Sequence, residues 1–279
     1  MMQDKFETIG ESLIQHGKFN NRIYLLKLAP GEGEALLPKL DELAKKEEYT
    51  KIIAKIHAEA LPGFLNRDYS MEAFIPGFFK GETDCLMVSK FFDAKRSHGP
   101  EEELKRFHDL LASAGSTNNG PNGNGGRFTP GRLTEDNAEA ITEVFKHVFE
   151  TYPFPVHDPA YILKTMHSNS ARYFGIWEGQ DLVGISTAET DLDNKNAEMT
   201  DFAVLPEYRG QRMAYRLLAF MEEEMKAAGI KTAYTIARLK EPGMNKTFMN
   251  SGYHYTGTLV NNTNIGGSIE SMNIFYKRL

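Results

Sequence analysis

The sequence holds a single cysteine, Cys85, and a single tryptophan, Trp177. One thiol closes no internal disulfide and builds no thiolate cluster, so neither a disulfide scaffold nor a cysteine-ligated metal centre is expected. Long apolar runs are missing as well. No segment approaches the roughly 20 apolar residues that cross a bilayer, and residues 1–10 lack the apolar core of a signal peptide. A reducing, cytoplasmic setting is the expectation. Positive charge is not in excess either: the formal net charge is -6, with both signs mixed along the chain. That balance argues against a surface built to neutralise nucleic-acid phosphates. Small molecules are the expected partners, with no nucleic acid, no membrane and no metal; the oligomeric state is left open, a dimer included.

What is present is enough for a substantial core. The chain has 279 residues, 41% of them hydrophobic and 11% aromatic, which is longer than one ordinary domain. One segment, GSTNNGPNGNGG at 115–126, has no apolar residue and reads as a flexible linker. It separates an N-terminal part, 1–114, from a C-terminal part, 127–279. In the first part, an apolar run at 23–28 and stretches at 51–57 and 84–92 have strand length. Leu36, Leu37, Leu40, Leu43 and Ala44 recur at helical spacing, as do Leu104, Phe107, His108 and Leu111. The expectation is a smaller α/β domain, with the aromatic stretch MEAFIPGFF at 71–79 packing in a core or between domains.

The C-terminal part is patterned more clearly. Thr134 is placed to cap a helix with Glu135 and Asp136 in its first turn and a buried stripe of Ile141, Val144, Phe145, Val148 and Phe149. Strands are expected at 171–177 and 181–189, joined by a turn at Gly179, and at 197–205. A helix over 211–228 ends at Gly229. A strand at 232–238, a helix over 242–250 and strands near Tyr255 and Met272 complete the order.

The segment LPEYRGQRMAYRLL at 205–218 carries the strongest chemical signal: a strand ends, a basic turn with a glycine follows, and an amphipathic helix begins. A helix N-terminus offers unpartnered N–H groups and the positive end of a dipole, and a preceding turn extends them into a nest for an anion. Gly210 permits close backbone approach, and Arg209 and Arg212 bring positive charge. The plainer alternative is an ordinary strand–helix turn with solvated arginines.

This segment resembles the acetyl-CoA pyrophosphate loop of the GNAT acetyltransferases, with Arg209, Gly210, Gln211, Arg212, Met213 and Ala214 spanning it and Arg212 standing where the family has its central glycine. The resemblance implies a central mixed, mostly antiparallel twisted sheet flanked by helices, acetyl-CoA as co-substrate, and the backbone of Ala203, Val204 and Leu205 paired with the pantetheine arm. NKTFMNSGY at 245–253 resembles the family's second cofactor motif. There Asn245 is the implied polar contact to the cofactor, and Phe248 occupies the position of the usual tyrosine acid, leaving Tyr253, Tyr255 or water to protonate the thiolate. Further stretches, QHGKFN at 15–20, EAFIPGFF at 72–79, YPFPVHD at 152–158, EMTDF at 198–202 and ESMNIFYK at 270–277, resemble the β-lysine N-acetyltransferase family over nearly the whole chain. That resemblance implies β-lysine as acceptor and Nε-acetyl-β-lysine, a compatible solute, as product.

An alkyl ammonium with a pKa of roughly 10 needs a base before it can attack a thioester. Glu198 is the favoured base and Asp201 the candidate to hold the ammonium. Their odd spacing on one strand puts them on opposite faces unless a bulge intervenes. His147 and His157 are alternative bases. For the acceptor's other end the candidates are Tyr152, Phe154 and His157 after the first helix, and Asn262 and Asn264, with Asn261, near the end of the chain. Prolines and asparagines in such places can equally be plain turn formers.

Overall fold

The computed structural model describes residues 4–113, 127–150 and 154–279; the linker at 115–126 and Tyr152 lie outside them. Two twisted sheets dominate. The first has the order β1-β2-β3-β4-β6-β5, built from β1 (Lys5–Ile9), β2 (Ser12–Gly17), β3 (Arg22–Lys27), β4 (Lys51–His57), β5 (Ser70–Phe79) and β6 (Thr83–Phe91). The second has the order β12-β13-β11-β10-β9-β8-β7, built from β7 (Phe128–Arg132), β8 (Ala171–Glu178), β9 (Asp181–Asp191), β10 (Asn196–Val204), β11 (Thr232–Arg238), β12 (His254–Ile265) and β13 (Ser268–Arg278). In each sheet one pair is parallel, β3 with β4 and β10 with β11, and the rest are antiparallel. This is the α/β architecture with a mixed, mostly antiparallel C-terminal sheet.

Helices cover the outer faces. On the first sheet, α1 (Gly33–Lys46) buries Leu36, Leu37, Leu40 and Ala44, the positions its helical spacing singled out. The short α2 (Leu61–Leu65) packs beside it. On the far side of the second sheet lies α7 (Met213–Ala227), which buries Leu217, Leu218, Met221 and Met225 against Ala197, Met199, Ala233 and Phe275. The same core receives α8 (Pro242–Asn250) and, from before the linker, α4 (Glu101–Ser113), whose Phe107 ring meets Tyr255 at 4.9 Å. A one-turn helix, α3 (Ala94–Ser97), precedes α4.

The inner faces of the two sheets meet along β5, β11, β12 and β13. Ile53, Ile75, Phe78, Cys85 and Met87 pack there against Tyr234, Leu259, Met272 and Ile274. The aromatic stretch at 71–79 is therefore a seam strand. Gly257 permits the close contact, because a Cβ there would lie 2.1 Å from the Glu72 carbonyl oxygen. Several charged groups buried in the seam are paired, which offsets the cost of taking them out of water. Lys51 binds the Glu72 carboxylate at 2.7 Å and the Val260 carbonyl at 2.8 Å. The Arg22 guanidinium donates to the Asn262 carbonyl at 2.6 Å.

Beside the first sheet, α5 (Ala138–Val148) and α6 (Pro159–His167) cover the rest of the second sheet's inner face, over β8 and β9. Thr134 and Asn137 form a capping box at the entry to α5. Several elements go beyond the sequence expectation, among them β1, β2, β7 and α6. The edge strands β1 and β7 lack an apolar alternation; β1 is largely exposed, and β7 carries Pro130, which an edge tolerates. β2 interleaves His16 and Gln15 with apolar residues, and α6 is only nine residues long, opened by Asp158 as N-cap and Pro159.

Candidate active site

The site begins with a strand pair that parts. β10 and β11 are hydrogen-bonded only from Asn196, Ala197 and Glu198 to Thr232, Ala233 and Tyr234. Beyond that point β10 follows β9 and β11 follows β13, so the two diverge. Between them opens a cavity of about 760 Å³, walled by Met199, Thr200, Phe202 and Val204 on one side and Thr235, Ile236 and Ala237 on the other. From Met199 onward β10 has no ladder partner on the β11 side, so that edge keeps backbone groups for a ligand.

At the mouth of the cavity stands the predicted anion loop, which contributes Arg209, Gly210, Arg212, Met213 and Ala214 to the lining. Gly210 has φ +78° and Arg212 φ +61°, two left-handed residues flanking Gln211. This alternation curls successive N–H groups toward one point, the geometry of an anion nest. Arg212 thus adopts the backbone conformation that glycine adopts without penalty. The first turn of α7 has no side-chain cap, so its N–H groups also remain available.

The residues of the second cofactor motif lie differently from the expectation. Asn245 is fully buried; its amide donates to the carbonyls of Arg238, Leu239 and Glu241 and accepts from Asn273. It clamps α8 to β11 and β13, and both ends of its side chain are engaged inside the protein, which corrects its assignment to the cofactor. Phe248 does line the cavity, with its ring stacked on Phe275 in the core. Tyr253 is buried behind Phe248, beside Glu222 and under Lys277, outside the cavity lining. Its ring completes the apolar end of α8, so it is not placed to protonate a thiolate in the cavity.

Glu198 is the last paired residue before the strands part. Glu189 stands opposite it on β9 and Tyr234 opposite it on β11, all on the sheet's inner face. Between Thr200 and Ala203 the β10–β9 register shifts by one residue, and Asp201 takes φ +53°. This bulge reverses the alternation that would have separated Asp201 from Glu198, and the two carboxylates fall within electrostatic reach of each other. Burial pushes the Glu198 carboxyl above the usual carboxylate range; Asp201 adds to the rise, while Lys55 and hydrogen bonds from Tyr234 and the Ile236 N–H oppose it. Glu189 opens to solvent but is ringed by the cleft walls, and desolvation together with Glu198 and Asp201 raises it to about 8.

Of the remaining expected residues, Phe154 packs on the α5–α6 core and His157 is half-buried with its Nε2 unpartnered. His147 is exposed, its Nδ1 on the Glu143 carbonyl. The asparagines belong to the seam, which corrects their assignment to substrate. Asn264 bonds Asn20 and Phe19, Asn261 bonds Arg96 and His98, and Asn262 lies buried beside Thr263. Residues that the sequence reading did not find gather around these carboxylates and their neighbours: Tyr161 of α6, Tyr173 and Glu189 from neighbouring strands, and Tyr24, Lys55 and Phe78 from the first sheet. One signal was available for Lys55. In KIIAKIH, lysines recur on the strand face that also carries Ile53, a position for apolar contacts.

A cavity between parted strands, a basic nest at a helix N-terminus beside it, and carboxylates at the vertex define an acyl-CoA-dependent transferase acting on an amine. The acetyltransferase (GNAT) family profile matches residues 138–247. The β-lysine N(6)-acetyltransferase of Methanococcus maripaludis is 38% identical over 98% of this chain and 98% of its own. The N-acetyltransferase YodP of Bacillus subtilis is 34% identical over 96% of each chain. The β-lysine N(6)-acetyltransferase of Methanosarcina mazei is 30% identical over 89% of this chain and 98% of its own. The chain belongs to the GNAT acetyltransferase family, and it is an acetyl-CoA-dependent N-acetyltransferase.

Proposed function

We propose that the protein transfers the acetyl group of acetyl-CoA to the ε-amine of β-lysine, with Glu198 as base, by direct attack within a ternary complex. The observation that carries this reading is the cluster of Glu189, Glu198 and Asp201 at the vertex where β10 and β11 part. An acidic cleft draws in a diammonium substrate, and a carboxyl raised toward the amine's own pKa is a more effective base than an ordinary one. The names of the two β-lysine N(6)-acetyltransferase relatives support the choice of acceptor.

In the reaction the neutral ε-nitrogen forms the C–N bond to the acetyl carbon, the C–S bond breaks, and CoA leaves as a thiolate that takes up the second proton lost from the nitrogen. The ammonium proton passes to Glu198, directly or through one water. Asp201 holds the ammonium before it is deprotonated. The only thiol, Cys85, is buried in the seam, so no acetyl-enzyme on sulfur forms part of this route. The pyrophosphate sits on the nest at Gly210 and Arg212, and the pantetheine arm on the free edge of β10 around Ala203 to Leu205. The product has lost one of two ammonium charges and is a net-neutral zwitterion, a suitable form for a compatible solute.

The test is thiol release by the purified protein from acetyl-CoA with β-lysine, α-lysine, spermidine and a lysine peptide. The highest kcat/KM should fall on β-lysine, with intersecting initial-rate lines. A preference for another amine defeats the substrate assignment, and ping-pong kinetics defeats the mechanism.

A further inference from the structure

We infer that Lys55, carried by the N-terminal sheet, determines acceptor specificity by binding the carboxylate of an amino-acid acceptor whose amines lie against the carboxylates of the C-terminal sheet. This rests on the reading that the acceptor lies at Glu198. Lys55 projects from β4 across the seam toward Tyr234 and Glu198. Its ammonium stands 5.4 Å from the Tyr24 ring centroid, 6.0 Å from Phe78 and 5.8 Å from Tyr234. Three ring faces steady a cation without supplying acceptors for its N–H groups.

The contrast with its neighbour on the strand is instructive. Lys51, on the same face, is held by the Glu72 carboxylate and the Val260 carbonyl. Lys55 makes no ion pair and no hydrogen bond to any described residue, so its three donors are left for a ligand. A second observation points the same way. The Tyr24 hydroxyl, on a residue only 7% exposed, has no hydrogen-bond partner, and it lies within electrostatic reach of both Lys55 and Glu198. The Thr187 hydroxyl, on a residue that is 1% exposed and pairs with Thr200 across the β9–β10 ladder, is likewise unpartnered. Buried polar groups without partners beside the partly exposed Lys55 and Glu198 mark places that a ligand fills.

The charge pattern fits one chemical class. Carboxylates at Glu189, Glu198 and Asp201 match ammonium groups, and a single cation among them matches one carboxylate. A polyamine brings nothing for Lys55 to bind and would be repelled by it, whereas a diamino acid satisfies both signs. In this arrangement the N-terminal sheet supplies specificity and the C-terminal sheet supplies the chemistry.

The test compares β-lysine with its carboxamide, which keeps both amines and removes the anion. The wild type should favour the acid in kcat/KM by ~10-fold or more, the scale of a charge-assisted hydrogen bond. Lys55→Met keeps a flexible apolar stem within the aromatic cage and should bring that ratio to about one, through a raised KM for the acid alone. Lys55→Arg should retain a clear preference for the acid, and it carries the test if the methionine variant fails to fold. An equal loss on both substrates, or an unchanged ratio in Lys55→Met, overturns the inference while leaving β-lysine acetylation intact. A wild type inactive on β-lysine overturns the proposed function and this inference with it.

Discussion

The two clefts of this enzyme share strand β10 but are assembled in different ways. The cofactor cleft is mostly local: strand, nest and helix N-terminus follow one another within Met199 to Tyr215, closed by β11 and α8. The proposed acceptor site draws Tyr24, Lys55 and Phe78 from one sheet and Tyr161, Tyr173, Glu189, Glu198 and Tyr234 from the other part of the chain. In the proposed function backbone N–H groups do the binding in the first, and charged and aromatic side chains do it in the second. A local backbone device can be carried by many enzymes, whereas the inferred side-chain cage across the seam would tie acceptor choice to one particular pairing of sheets.

Substitutions should separate the two clefts. The largest effect is expected for Glu198→Gln, which keeps size and removes basicity: kcat should fall by ~10²-fold or more, with KM for acetyl-CoA unchanged. Only the carboxylate accepts a proton, so wild-type kcat/KM rises as pH climbs through the raised Glu198 pKa. That limb should vanish in the variant, and the deficit should shrink at high pH, where more amine is already neutral. A near-normal kcat at neutral pH removes Glu198 from the mechanism. Next comes Gly210→Val. At φ +78° a β-branched residue is strained, and although a Cβ there meets no atom within 4 Å, the nest has to reshape. The acetyl-CoA KM should rise by about 10-fold, the scale of ~1–3 kcal/mol of backbone strain, while the amine KM holds. Unchanged affinity for CoA would refute the nest as its site.

The same contrast decides what the sequence reveals. The cofactor loop was legible because each of its requirements is local: a strand end, Gly210, flanking arginines and an amphipathic helix occupy consecutive positions. The helices with clean apolar stripes, α1, α5 and α7, were legible for the same reason. Asn245 and Asn264 looked like ligand contacts because sequence shows their hydrogen-bonding capacity but not their partners: Asn245 meets carbonyls between β11 and α8 and the Asn273 amide of β13, and Asn264 meets Asn20 and Phe19 of the first sheet's β2–β3 turn. Asp201 was ambiguous for one residue's worth of register, and only the bulge settles its face. Lys55 was hidden because Tyr234 and Glu198, two of the groups it faces, come from a sheet formed well over a hundred residues later.

Asp201→Asn should have a smaller effect. Asparagine tolerates the left-handed backbone that Asp201 adopts, so the bulge persists and only the charge is lost. The amine KM should rise by ~3- to 10-fold with kcat little changed, as expected for one partly solvated charge-assisted contact. A fall in kcat with KM constant would make Asp201 part of the proton path instead.

The smallest effect is a pH-dependent change in stability confined to the acceptor cleft. Glu189 is raised from 4.5 to about 8, by desolvation first and then by Glu198 and Asp201, with Lys55 opposing. Between those values the folded chain holds a proton that the unfolded chain releases, so stability falls as pH rises through the window and levels off beyond it. Glu189→Gln removes this titration and leaves every other group in place. At pH 4, below both values, Glu189 is mostly neutral in both states, and the two proteins should melt close together. At pH 8 the variant should melt higher by about 2 °C, a modest figure because solvent at the carboxylate screens the repulsion. The same substitution should leave the acetyl-CoA KM untouched, and Gly210→Val should leave the pH slope of Tm untouched. Parallel pH slopes for wild type and Glu189→Gln would mean that the three carboxylates do not share one cleft electrostatically, and the contrast between a backbone-built and a charge-built site would lose its second half.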